Sequence, residues 1–181
     1  MSLKTELHCH NIFSNGHVGA LEPIHDCNVT ISMQLEQAYL AGLDVLFVTN
    51  HNTIDGYKQI LEYKKNHQKF DTLSVYPAEE VTTDNESHVL VYGIDHSIKS
   101  GLSLHEILDE AKKQDAVTVA PHPFSLMDAL REDSTYCDLF EVFNSSNVDV
   151  YSNLRAKKFA EKKSLHLVAG SDSHVQSTIG R

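Results

Sequence analysis

The 181-residue sequence has little of three features that assign many proteins to a class: long hydrophobic runs, cysteine pairs and positive charge. No stretch approaches the roughly 20 consecutive apolar residues of a membrane-spanning helix. The N-terminus, MSLKTELHCH, also lacks the charged and apolar blocks of a signal peptide. We therefore expect a cytoplasmic protein without a membrane partner. At this length, with 41% hydrophobic residues, we expect residues 1–181 to form a single domain.

The few cysteines and the shortage of positive charge exclude several kinds of binding site. Cys9, Cys27 and Cys137 are an odd number without a CxxC spacing, so they predict structural thiols and neither a disulfide framework nor a thiolate zinc site. Acidic residues outnumber lysine and arginine by 25 to 15, for a net charge of −10. This balance argues against an extended nucleic-acid surface. A polyanionic substrate is expected to need metal ions in order to bind.

Apolar runs of strand length alternate with helical patterns along the chain. The runs lie at residues 4–9, 45–49, 73–76, 88–92, 117–120, 139–143 and 166–169, and helical spacing occurs at residues 32–42, 103–114 and 151–163. Ser103, with Glu106 three residues later, is typical of a helix cap. Repeated strand, helix, strand order predicts parallel pairing with crossover helices. Seven strands favour a small or incomplete β/α barrel, although periodicity alone leaves an open sheet as the alternative.

Polar side chains follow the C-terminal ends of most of these runs, which is where β/α barrels form active sites. They are His8, His10, His51, Glu79, Glu80, His122, Asn144, Asp172 and His174. His88 is an exception because it opens its run. Since side chains alternate along a strand, His8 and His10 point the same way and offer two imidazoles to one ion.

Imidazoles and carboxylates without thiolates suit zinc, manganese or iron. Because seven or eight such groups exceed what one ion uses, the sequence predicts two or three divalent metal ions. Such a cluster clamps a phosphate and lowers the pKa of a bound water, so that a metal-bound hydroxide attacks in line. Hydrolysis of phosphate esters is the commonest use of this arrangement.

At these residues the sequence resembles the polymerase and histidinol phosphatase (PHP) domain family. The motifs LHCH, FVTNHNT, YPAEEVTT, HVLVYG, APHPF, EVFNS and AGSDSH follow the family's order over essentially the whole chain. The resemblance implies a distorted (β/α)7 barrel with a di- or trinuclear metal centre and phosphate ester hydrolysis. Relatives usually continue through further helices, so we expect the chain to be truncated at its C-terminus.

The resemblance also implies how the ligands divide among the ions. His8, His10 and Asp172 would hold the first ion, His88 and His122 the second, with Glu80 as the bridge, and Asn15, His51 and His174 the third. The family usually has aspartate at the positions of Asn15 and Asn50. An asparagine brings no negative charge, so we expect a binuclear centre with a labile third ion.

Three further assignments stay open at this stage. Residues 17–29 are an insertion of roughly ten residues, which is either a solvated loop or the source of a substrate contact or a replacement ligand. Arg131 is a candidate for binding substrate phosphate, and a surface arginine is the alternative. His174 is a candidate general acid if the third ion is absent.

We therefore predict a metal-dependent phosphoesterase, either a phosphatase or a phosphodiesterase, for a small phosphorylated metabolite or a nucleotide. A nuclease of the same family that trims oligonucleotides is one alternative. A non-catalytic metal-binding domain is another, because the two asparagines are compatible with lost activity. The sequence does not indicate the oligomeric state.

Overall fold

A computed structural model describes residues 2–17 and 25–181. Most of the predicted insertion, residues 18–24, lies outside the described residues. The strands are β1 (Thr5–Glu6), β2 (Val45–Val48), β3 (Ser74–Thr82), β4 (His88–Tyr92), β5 (Val117–Ala120), β6 (Leu139–Asn144) and β7 (Leu167–Gly170). The α-helices are α1 (Ile31–Leu40), α2 (Tyr57–Lys65), α3 (Leu104–Lys113) and α4 (Val150–Lys163). None of the helices in these described ranges is long and apolar enough to cross a membrane.

The seven strands form one sheet whose spatial order is the order of the sequence. The sheet nearly closes on itself where the segments after β1 and β7 meet. There Cys9 and Ser173 form a parallel bridge, and the His10 N–H donates to the Ser173 carbonyl at 2.9 Å. The Asp172 N–H donates to the His8 carbonyl at 2.7 Å. The predicted distorted barrel is therefore confirmed.

The expectation of parallel pairing is wrong at β4. This strand runs antiparallel to both β3 and β5, whereas the other neighbouring pairs are parallel. Only residues 83–87 separate β3 from β4, which is too short for a crossover helix. The Thr83 N–H instead donates to the Ser87 carbonyl at 2.8 Å and closes a hairpin turn. The N-terminus of β4 therefore lies beside the C-terminus of β3, with His88 paired to Thr82.

Apolar side chains fill the barrel and its two outer layers. Inside the barrel, Leu90, Tyr92 and Val119 are buried together with Ala78. On one side α1 and α2 cover β2 and β3, and on the other side α3 and α4 cover β4, β5 and β6. Helix α3 begins with the predicted capping box between Ser103 and Glu106. The layers hold the sheet so that its polar strand ends form one open face.

Candidate metal centre

Glu80, near the end of β3, lies at the centre of a cluster of histidines. Its Oε2 is 3.2 Å from both His8 Nε2 and His10 Nε2. Its Oε1 is 3.1 Å from both His88 Nδ1 and His122 Nε2. Because β4 is antiparallel, His88 reaches this cluster from the start of its strand. A single buried carboxylate thus lies within 3.2 Å of four imidazoles, two on each oxygen, and His51 Nδ1 is 3.7 Å from Oε2.

Asp172 completes one side of the cluster. Its Oδ1 is 3.4 Å from both His8 Nε2 and His10 Nε2. The backbones of Asp172 and His122 are in the left-handed region, with φ of 53° and 27°, a strained conformation that is common at functional sites. Asn144 Nδ2 donates to Asp172 Oδ2 at 3.1 Å and fixes the carboxylate.

The electrostatics of the cluster favour ionised carboxylates. Burial alone would raise the pKa of Glu80 and of Asp172, but the charge of His8 holds both pKa values well below the usual range. Burial would likewise lower the pKa of His8, yet Asp172 and Glu80 raise it well above its ordinary value. The carboxylates thus produce a negative electrostatic potential that stabilises positive charge at this site.

A second group of side chains that could bind a metal ion lies at the mouth of the cluster. His174 Nε2 is 3.1 Å from Asp26 Oδ1, and His51 Nε2 is 3.9 Å from the same oxygen. The His10 ring stacks on His174 and on His51, with ring centroids 4.2 and 4.7 Å apart. Burial opposes charge on His174, but the hydrogen bond to Asp26 and the charge of Asp172 raise its pKa to about 9.

The structure does not bring the side chain of Asn15 into this group. Its Oδ1 accepts hydrogen bonds from the N–H groups of Asp26 and Cys27 at 2.7 and 3.0 Å. Its Nδ2 donates to the Cys27 carbonyl at 2.8 Å. The Asn15 amide is therefore hydrogen bonded to the backbone of Asp26 and Cys27, near the C-terminal end of the insertion. The acidic side chain that contacts His174 is that of Asp26.

Asn50 also lies behind the cluster and not within it. The His10 Nδ1 and Ser14 Oγ are 3.2 Å apart, and Ser14 Oγ donates to Asn50 Oδ1 at 3.2 Å. Asn50 Oδ1 also accepts from the Asn11 N–H at 2.9 Å. This chain of contacts favours a proton on Nδ1 of His10 and leaves Nε2 free to bind a metal.

Sequence reasoning missed the role of Glu141, a buried residue in the middle of β6. Its Oε1 is 3.1 Å from His8 Nδ1, and its Oε2 accepts from the His122 N–H at 2.6 Å. Asn144 Nδ2 donates to the same Oε2 at 2.9 Å. One carboxylate thus contacts two histidines that follow different strands, the ring of His8 after β1 and the backbone N–H of His122 after β5. The available signal was an acidic residue inside the apolar run LFEVF, since glutamate is rarely fully buried without partners.

Two other charged residues point away from the centre. Glu79 faces the outer layer, where its Oε1 accepts from the Ile98 N–H at 2.6 Å and burial raises its pKa to about 7. Arg131 is exposed and is not among the described residues that line the site's cavity. The structure therefore does not bring the predicted phosphate-binding arginine to the site.

The cluster opens into a cavity of about 200 Å³. The described lining residues are Asp26, His51, Glu80, His88, His122, Ser125, Met127, Asp128, Ser146, Asn147, Val148, Asp172 and His174. No lysine or arginine occurs in this described lining, and residues 18–24 contain none in the sequence. A negatively charged ligand would therefore meet histidine side chains, and neither lysine nor arginine, in this described lining.

The side chains fit divalent metal ions. Three sets of ligand atoms lie within 4.8 Å of one another: His8, His10, Glu80 and Asp172; His51, Glu80 and His88; and His10, Asp26, His51 and His174. Within the described ranges, several buried polar atoms of these side chains have no hydrogen-bond partner, namely His10 Nε2, His51 Nδ1, His122 Nδ1 and Asp26 Oδ2. Such atoms are costly to bury without a partner, and a cation would satisfy those aimed at it. The nitrogen and oxygen donors suit zinc, manganese or iron.

Comparisons with known proteins agree with this site. A family model described as PHP-associated matches residues 150–181, which include α4, β7, Asp172 and His174. Two uncharacterized proteins of Methanocaldococcus jannaschii are similar to 68% of the chain, at 31% identity over 134 residues and 33% over 128 residues. The chain spans 56% of the first protein and 72% of the second.

Solved structures share the fold at low sequence identity. A candidate metal-dependent phosphoesterase of Bifidobacterium adolescentis has a TM-score of 0.69 at 16% identity, covering 96% of this chain and 88% of that one. A lesion-specific endonuclease of Pyrococcus furiosus has a TM-score of 0.64 at 16% identity, covering 99% of this chain and 50% of that one. The fold, the motif order and these similarities together show that the chain belongs to the polymerase and histidinol phosphatase (PHP) domain family.

Proposed function

We propose that the protein is a metal-dependent phosphoesterase that hydrolyses the ester of a small phosphorylated metabolite or nucleotide. The observation that carries this proposal is the position of Glu80, whose two oxygens each contact two imidazoles beneath an open cavity. A carboxylate in that position is suited to bridge two cations. Paired cations are a common device for displacement at phosphorus.

The ligands form two groups, one for each ion, because two imidazoles lie at each oxygen of Glu80. His8, His10 and Asp172 would hold one ion with Glu80. His88, His122 and the second oxygen of Glu80 would together hold the other ion. When bound, the ions neutralise the charge of the phosphate and activate a water molecule for attack on phosphorus.

The protein's own contribution is to orient these ligands and to shape the cavity. Glu141 holds the ring of His8 from behind, and Ser14 does the same for the ring of His10. Such supporting contacts fix the tautomer and orientation of a metal-binding histidine. The cavity of about 200 Å³ has room for a phosphate and part of its leaving group. This size favours a small or terminal phosphate over a continuous strand.

His174 lies at the mouth, where the leaving group would depart. It has two mutually exclusive uses, as the proton donor to the leaving oxygen or as a ligand of a further ion. In the first case, the 3.1 Å contact between His174 Nε2 and Asp26 Oδ1 would favour the protonated ring.

The test is phosphate release from a panel of phosphomonoesters, nucleoside bisphosphates, a phosphodiester and short oligonucleotides, with manganese, zinc or iron. Glu79→Gln is a matched control for Glu80→Gln, since both residues are buried neighbours that face opposite sides of β3. We expect metal-dependent turnover of small esters and a loss of at least about 100-fold in kcat/KM in Glu80→Gln, roughly 3 kcal/mol of transition-state stabilisation. Glu79→Gln should retain activity.

Two outcomes would contradict this proposal. Turnover of oligonucleotides without turnover of small esters would identify a nuclease of the same family. Metal binding without any turnover across the panel would identify a non-catalytic metal-binding domain.

A further inference from the structure

We propose that an apolar rim beside the metal centre binds the alcohol portion of the substrate, and that this portion is apolar and carries no second anionic group. The apolar rim consists of Met127 and Val148, which line the cavity, and of their exposed neighbours Leu126 and Val150. The inference rests on the proposed function, because it assigns the leaving group of the ester that the site would hydrolyse.

The exposure of the apolar rim is the first observation that indicates a binding surface. Met127 is 70% exposed and Val148 is 88% exposed, and both line the same cavity as Glu80 and Asp172. Single exposed apolar side chains are normal on a protein surface, but several of them together at a cavity are typical of a ligand site. A molecule whose phosphate reaches the metal centre would place its remaining atoms beside these side chains.

The two loops that form the apolar rim are held in place by hydrogen bonds. In the loop after β5, the Ser125 N–H donates to the His122 carbonyl at 2.8 Å. Ser152 Oγ, in the first turn of α4, donates to the Phe124 carbonyl at 3.0 Å and joins the start of this helix to the same loop. Because the surface is ordered before a ligand arrives, binding loses less conformational entropy than it would at a flexible surface.

The charges around the cavity disfavour a second anionic group in the substrate. The described lining contains four carboxylates and neither lysine nor arginine; the carboxylates are those of Asp26, Glu80, Asp128 and Asp172. Among the histidines, His174 lies 3.1 Å from Asp26 and is therefore already next to a negative charge. A carboxylate or a further phosphate outside the metal centre would thus be repelled, whereas an uncharged group would not.

Uncharged polar side chains flank the apolar rim. Ser125 precedes Leu126, and Asn147 precedes Val148 in the sequence, and both polar residues line the cavity. Their hydroxyl and amide groups are able to form hydrogen bonds with a neutral substrate. The surface beside the metal centre therefore suits a neutral, largely apolar alcohol.

The experiment measures the binding of phosphonates, which are not hydrolysed, to the manganese- or zinc-loaded protein by calorimetry. Phenylpropylphosphonate and propylphosphonate differ only in the phenyl ring, and we expect the phenyl compound to bind at least about 10-fold more tightly because its ring is removed from water. A carboxylate added to the ring should weaken binding. Equal affinity for the phenyl and propyl compounds, or tighter binding of the carboxylated ring, would overturn the proposal.

Variants of Met127 test whether the apolar rim is the surface that binds the ring. Met127→Gln keeps the length of the side chain but replaces its apolar end, so the preference for the phenyl compound should fall at least about 5-fold. Met127→Leu keeps an apolar side chain and should keep the preference. Leu40→Gln makes a similar change at an exposed position of α1, outside the described lining, and should bind as the wild type does. An undiminished preference in Met127→Gln would contradict the assignment.

Turnover of phenylethyl phosphate and ethyl phosphate separates this inference from the proposed function. Both esters release a primary alcohol, so we expect the phenyl ring to raise kcat/KM about 10-fold through binding alone. Preferential binding of the phenyl phosphonate without turnover of either ester would refute only the esterase function. Turnover of both esters with equal kcat/KM would refute only the role of the apolar rim. Failure of the loaded protein to bind either phosphonate would refute both.

Discussion

Gly170 allows a test of the supporting framework that leaves every proposed ligand in place. It is the last residue of β7, and a Cβ added there would lie 2.4 Å from His8 Cβ and 2.5 Å from Glu141 Oε1. Carbon atoms in contact are normally about 3.5–4.0 Å apart, so the Gly170→Ala variant must displace one of these groups by roughly 1 Å. The backbone of Gly170 is not left-handed, so the cost comes from this overlap.

The neighbours of Gly170 have little freedom to move. The His8 N–H donates to Glu6 Oε1 at 3.1 Å, and the His8 carbonyl accepts from the Asp172 N–H at 2.7 Å. We therefore expect Gly170→Ala to destabilise the metal-free protein by about 1–3 kcal/mol, the usual cost of overpacking. Separation of Glu141 from His8 should also weaken binding of the first ion by about 10–100-fold.

The assays are urea unfolding of the metal-free protein and calorimetric titration with zinc or manganese. The control is Ala169→Val, which adds two carbon atoms to an exposed position of the same strand and should change stability by less than about 0.5 kcal/mol. Gly170→Ala with the stability and metal affinity of the wild type would refute the reasoning, because the close approach of β7 to His8 would then carry no cost.

Two further predictions concern buried carboxylates. Glu141→Gln places an amide where three donors converge, so we expect about 10–100-fold weaker binding of the first ion in a zinc titration, and unchanged affinity would contradict the orienting role. For Glu79, burial raises the pKa from 4.5 to about 7, so the folded state binds the extra proton and stability falls as pH rises from about 4.5 to 7. Between these pH values, the free energy of unfolding of the metal-free wild type should decrease by roughly 3 kcal/mol more than that of Glu79→Gln, as measured by urea unfolding. The same pH dependence in the wild type and in Glu79→Gln would refute the assignment.

Local patterns were sufficient to predict most of the barrel. Apolar runs, helical spacing and the Ser103 cap depend on residues close in sequence, and strands and α3 formed at these patterns, although β1 spans only Thr5–Glu6 and β3 extends to Thr82. The direction of β4 was not predictable from alternation, because parallel and antiparallel strands show the same period. It followed from the short connection at residues 83–87, which also explains why His88 opens its strand and yet reaches Glu80.

The sequence by itself determined which kinds of ligand the protein offers and that most of them follow strand ends, since both depend on residue type and local periodicity. Only the tertiary structure decided which side chains contact the candidate metal ligands and hold them in place. Glu141 meets His8 across 133 positions, and Asp26 reaches His174 from the end of an insertion. Asn15 contacts backbone groups, whereas the family resemblance implied that it binds a metal ion. Such contacts depend on the closure of the barrel and on the path of its loops. Neither the closure nor the loop path produces a periodic pattern in the sequence.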